Sequence, residues 1–166
     1  MAGKCIITEV PNRLGQLLRK SGGISRGLAM KAADTNVERL REEFVNVIPD
    51  EIAALEAILV ACGGEHIAAS ELDVMVRRAS QILTLSGTYG FERLDTVVKR
   101  FCDLALGMID KGITDVAPVS VHLRAMRMVV PGAAEISEAE VAHILEGLMS
   151  VQSHYRIERR KMRQAE

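Results

Sequence analysis

Ala79-Ser80-Gln81-Ile82-Leu83-Thr84-Leu85-Ser86-Gly87-Thr88-Tyr89-Gly90-Phe91-Glu92-Arg93-Leu94 is the stretch on which the fold turns. Leading into it, Leu72, Met75, Val76, Ala79, Ile82 and Leu83 recur at steps of three and four, which gathers them on one face of a helix. Asp73, Arg77, Ser80, Gln81 and Thr84 fall on the opposite, polar face, so Ser80 is expected to be exposed. Leading out of it, Phe91, Leu94, Val97, Val98, Phe101, Leu104, Ala105 and Met108 hold the same steps for about five turns. Two apolar helical faces joined by a turn from Gly87 to Gly90 predict a helical hairpin, with glycine supplying positive φ or close approach at the turn. Gly90 is the more diagnostic of the two.

The same stretch resembles the core of a histidine phosphotransfer (HPt) domain of the chemotaxis-kinase type. In that family Ala-His-x-x-Lys-Gly is followed by a Gly-x-aromatic-Gly-Phe turn and a Leu. Gly87, Tyr89, Gly90, Phe91 and Leu94 fall in register with it. The register sets Ser80 at the phosphorylated His, Leu83 at the Lys, and Thr84 at the small Gly that admits a response regulator. The resemblance implies an antiparallel four-helix bundle of HPt type over roughly residues 35–130, with extra helices at both ends. It also implies a component of a bacterial two-component or chemotaxis pathway, docking a response regulator receiver domain or a histidine kinase through Arg77, Ser80, Gln81, Thr84 and Gly87.

Chemistry at that position is not expected. Phosphotransfer needs a neutral imidazole exposed at mid-helix and a cation one turn away to hold the phosphoryl oxygens. Ser80 offers a hydroxyl with no base nearby in sequence, and Leu83 removes the cation. The reading is therefore a non-catalytic docking or regulatory protein that does not carry phosphate. Arg77 and Arg78 are the nearest cations and could meet an acidic phosphorylation pocket or be a solvated helix face.

Composition agrees with helices. Aromatic residues are 3% of the 166-residue chain and Trp is absent, while Leu, Val, Ile, Ala and eight Met supply the apolar volume, favouring all-α packing over a sheet sandwich. A net charge of −1 provides no field to attract nucleic acid or anionic lipid. Cys5, Cys62 and Cys102 are scattered without CxxC spacing, and Met1 to Val10 lacks a signal-peptide pattern, so buried thiols in a reducing cytoplasm are expected. No cofactor is called for.

The organisation reads as an N-terminal extension over 1–34 and an HPt-like bundle over 35–163. Cys5-Ile6-Ile7-Thr8 suggests an extended arm, and Pro11 with Leu14, Leu17 and Leu18 a short helix stopped by Ser21-Gly22-Gly23. Thr35-Asn36-Val37-Glu38 is a capping box that should start a helix which Pro49 bends or divides and Gly63-Gly64 ends. Ser70 and Asp115 are candidate caps for later helices, Pro118 belongs in a first turn, and Pro131-Gly132 is a stop. Ser137-Glu138-Ala139-Glu140 is a second capping box, opening a helix with Val141, Ile144, Leu145, Leu148, Val151 and Tyr155 on one side and running to about Arg163.

Among the histidines, Ala142-His143-Ile144-Leu145-Glu146-Gly147 echoes the phosphoacceptor form, with Glu146 in the wrong charge for a phosphate. His122 borders an apolar stripe and is expected as a satisfied, half-buried ring; His66 lies in a loop. No pair of histidines has metal-ligand spacing with a Cys or carboxylate, so a metal is not expected. Arg156, Arg159, Arg160, Lys161 and Arg163 form a basic end read as a solvated helix terminus, and Met126, Met128 and Met149 as core filler. Two alternatives stand beside the main reading: a generic helical interaction or dimerisation protein, with a homodimer left open, and an active phosphorelay protein using His143 or His122.

Overall fold

A computed structural model of the chain describes residues 24–133 and 136–157. Among these residues the regular elements are five helices and no strand: α1 Arg26–Ala61, α2 Ala69–Tyr89, α3 Glu92–Lys111, α4 Ala117–Met128 and α5 Glu138–His154. The all-α expectation holds. The arm around Cys5, the helix at 11–20 and the basic residues Arg159, Arg160, Lys161 and Arg163 lie outside the described residues.

The chain divides into two units, Met1–Arg39 and Leu40–Glu166. The described part of the first is the opening of α1, where Ser25 is the cap and accepts the Leu28 N–H at 3.3 Å. Thr35 therefore does not start this helix. It sits mid-helix and donates its hydroxyl to the Lys31 carbonyl at 2.9 Å, the usual fate of a threonine whose capping role has been taken upstream. Pro49 does not begin a new segment either: α1 runs through it, with Ile48 and Ile52 on either side fully buried.

In the second unit α3 is central, packing on α2, α4 and α5. The stripe read from its sequence is its core face, with Leu94, Val97, Val98, Phe101, Leu104, Ala105 and Met108 all at 0% exposure. Each of the Leu, Val, Phe and Met side chains among them contributes about 1.5–3 kcal/mol when fully buried. Phe44, Ile48, Ile52 and Leu55 of α1, Leu72, Met75, Ala79 and Ile82 of α2, and Val119, Leu123 and Met126 of α4 complete the cluster. Met128 and Met149 are not core filler; both are exposed.

The cap of α2 is Ala68, not Ser70. The Glu71 carboxylate accepts the Ala68 N–H at 2.7 Å, which holds that carboxyl below its usual range. At the other end α2 continues to Tyr89, so Gly87 is helical and the turn is narrower than the Gly87-to-Gly90 reading. Gly90 alone adopts the left-handed conformation there (φ 74°), and the Phe91 N–H reaches back to the Ser86 carbonyl at 2.9 Å. Phe44 closes over the turn, its ring 5.6 Å from Tyr89 and 6.0 Å from Phe91, while the Arg41 guanidinium stands 5.1 Å above Phe91.

Asp115 assists α4 from just outside it, accepting the Ala117 N–H at 2.9 Å, with Val116 as the cap and Pro118 in the first turn. That helix ends at Met128, ahead of Pro131-Gly132. The Ser137 box forms as read: Ser137 accepts the Glu140 N–H at 3.3 Å and donates its own N–H to the Glu140 carboxylate at 2.8 Å. α5 stops at His154 rather than near Arg163. Arg156 turns left-handed (φ 54°), the Ile157 N–H bonds the Gln152 carbonyl at 2.8 Å, and Ile157 folds into the core against Gly107.

Candidate docking face

Because Leu72, Met75, Ala79 and Ile82 turn inward, the opposite side of α2 carries Arg77, Ser80, Gln81, Thr84 and Gly87 to the surface, all exposed. The hydroxyls form a ladder along it. Ser80 donates to the Val76 carbonyl at 2.8 Å, Thr84 to Ser80 at 2.9 Å and Thr88 to Thr84 at 2.8 Å. Each hydroxyl proton is thus held by the helix backbone, leaving the oxygen lone pairs as acceptors.

Among the described residues Ser80 has no hydrogen-bonded base to activate it. Its neighbour across the hairpin is Cys102, whose thiol burial pushes up to about 11, so at neutral pH that sulfur is protonated and takes no proton from Ser80. Arg77 pairs with Asp73 one turn away, and with side chains 67% and 51% exposed such a pair is worth at most about 0.5 kcal/mol and opens easily. Arg78 reaches Glu51 of α1 at 3.2 Å. Leu83 is half-buried at the margin of the face.

The face is bordered by α3. Ser80 meets Cys102, and a Cβ placed on Gly87 would lie 3.4 Å from the Asp95 carboxylate. Asp95, Lys99 and Cys102 fall on one stripe of α3 at steps of four and three, flanking the buried stripe.

The histidines stand apart from the face. His143 is exposed on α5. His122 is fully buried rather than half-buried, and only one nitrogen is satisfied: Nδ1 bonds the Pro118 carbonyl at 2.8 Å while Nε2 has no partner. Burial, helped by the charge of Arg100, pulls its pKa down to about 4, so it is a neutral imidazole sealed from any phosphoryl donor. His66 Nδ1 lies 3.2 Å from the Thr114 hydroxyl, beside Asp115. Asp115 in turn accepts the Tyr155 hydroxyl, which holds its carboxyl below the usual range and ties the end of α5 to the start of α4.

Cys62 is half-buried and donates to the Ile58 carbonyl at 3.0 Å; burial and the neighbouring Glu71 raise its thiol. Among the described residues no group of three or more His, Cys, Asp or Glu is placed to hold a metal ion, and no helix is long and apolar enough to cross a membrane. No protein-family model, curated protein or solved structure matches the chain.

Proposed function

We propose that the protein is an HPt-like signalling component that docks a response regulator receiver domain, or a histidine kinase, without itself carrying phosphate. In this reading α1 to α4 supply the four-helix unit and α5 is the C-terminal addition. The observation that carries it is the α2–α3 hairpin: the Gly90 turn with Phe91 and the buried Leu94 on one side, and on the other an exposed polar strip that includes Ser80, the residue the resemblance aligns with the acceptor. The strip carries small side chains at Ser80, Thr84 and Gly87, which leaves room for a partner to approach the helix there. The absence of an activating base at Ser80 favours docking over transfer.

The test is a binding titration of the wild-type chain against a panel of purified receiver domains and histidine kinase catalytic cores. Binding to at least one, abolished by Thr84→Arg with an unchanged circular dichroism spectrum, supports the reading. Binding to none of the panel contradicts it and favours a helical interaction protein unrelated to phosphorelays.

A further inference from the structure

Between the first turn of α3 and the connection from α4 to α5 lies a cavity of about 790 Å³. Sites for small molecules span about 300–1,000 Å³, and this one falls among them. Its floor is closed by Leu94, Val129 and Val141, all buried, while apolar surface remains uncovered on its walls: Phe91 and Val130 are half-buried and Met128 is 50% exposed. Ser80, Gln81 and Thr84 do not line it, so it is a site apart from the polar face of α2.

The charged groups gather at the exposed edge. Arg93 is the cation among the described lining residues, and its guanidinium donates to the Ile136 carbonyl at 2.9 Å and to the Glu138 carboxylate. Phe91, the cap of α3, makes no side-chain cap hydrogen bond, so the electropositive start of that helix borders the same space without a side-chain acceptor. Glu92 and Glu138, both exposed, are the acids of the edge.

The fold thus displays what Arg93 takes: a carboxylate. Glu138 holds it loosely, because side chains 43% and 82% exposed form a pair that water and salt screen. A carboxylate carried on an apolar body has an advantage that the Glu138 side chain lacks, since the body removes Phe91, Met128 and Val130 from water as the acid group meets the guanidinium fork.

We propose that this cavity binds a small amphipathic carboxylate, whose acid group displaces Glu138 from Arg93 and whose apolar body covers Phe91, Met128 and Val130. Glu138 is then a built-in competitor that occupies the cation until the ligand arrives. The site does not depend on the docking function proposed above.

The experiment titrates the full chain with decanoate, with 1-decanol and acetate as the two halves of the probe, and follows calorimetric heats and backbone amide shifts. Decanoate should saturate, shift the amides of Phe91 to Leu94 and Met128 to Val130, and bind at least about tenfold more tightly than either control. Arg93→Gln should lose about tenfold and Arg93→Lys less, whereas Glu138→Gln should bind severalfold more tightly than wild type. Met128→Trp, which narrows the cavity without altering a charge, should weaken decanoate and keeps the test in force if an Arg93 variant fails to fold by circular dichroism. No saturable binding to wild type overturns the assignment. Equal affinity for decanoate and 1-decanol, or undiminished binding by a folded Arg93→Gln, overturns it as well, leaving an apolar surface without acid recognition. A Glu138→Gln variant no tighter than wild type overturns the exchange of carboxylates on Arg93.

Discussion

A Cβ built on Gly107 would lie 3.0 Å from Cγ1 of Ile157 and 3.2 Å from its Cβ, so the two residues interlock and α3 cannot carry any side chain at that point. The contact explains why the chain leaves α5 at His154: Ile157 must enter the notch, and the left-handed Arg156 is what delivers it there. Gly107→Ala should therefore expel Ile157 and destabilise by about 1–3 kcal/mol, although alanine is the better helix former. Gly147, helical with nothing within 4 Å of a new Cβ, provides the opposite sign. Gly147→Ala should stabilise by about 1 kcal/mol. Urea midpoints of the two variants measure both; stabilisation by Gly107→Ala would show that Ile157 is not seated in α3.

Val98, at 0% exposure in the middle of α3, is a second probe of the core. Val98→Asp buries a carboxylate with no cation to meet it and should destabilise by on the order of 3 to 5 kcal/mol. Thermal unfolding at the wild-type temperature would mean that this stripe does not face the core.

His122 sets a pH dependence. Its folded pKa, about 4, lies below the unfolded value of 6.5, so between those two values the unfolded chain binds a proton that the fold refuses. Stability is complete above pH 6.5 and declines as pH falls towards 4, by on the order of 3 kcal/mol in all. The carboxyls of Asp115 and Glu71, and those of Glu56, held low by the Arg127 guanidinium, and Glu140, held low by Ser137, act only at lower pH, as they become protonated. Urea unfolding of wild type and His122→Leu at pH 7 and pH 5 separates the two: the variant should lose the difference. An equal slope in both proteins would place the pH dependence elsewhere.

The helices whose residues face one uninterrupted core were readable from spacing alone. The α3 stripe and the Ser137 box are local patterns whose requirements are met within a few residues, and Gly90 needed only its positive φ. What could not be read depended on competition or on distant contacts. Thr35 is a sound cap in isolation, but Ser25 takes the role first; Gly87 looks like a turn residue until α2 extends past it; and the end of α5 is decided by Gly107 and Asp115, far away in sequence. The polar face of α2 was visible in the alternation around Ser80.

The proposed docking function takes α2 to present an HPt-like acceptor face with Ser80 where the resemblance has the imidazole. Restoring it is the direct test: Ser80→His with Thr84→Gly, prepared both with Leu83 in place and with Leu83→Lys. Ser80 and Thr84 are exposed, so the double variant loses little packing, the mid-helix glycine costing about 1 kcal/mol, and circular dichroism should report a folded chain. The measurement is transfer of radiolabel from a panel of phosphorylated receiver domains, with wild type as control. The account predicts acid-labile label on the restored histidine in at least one of the two forms and none on wild type. Folded variants that acquire no label in either form, or acid-labile label on wild type, would contradict it.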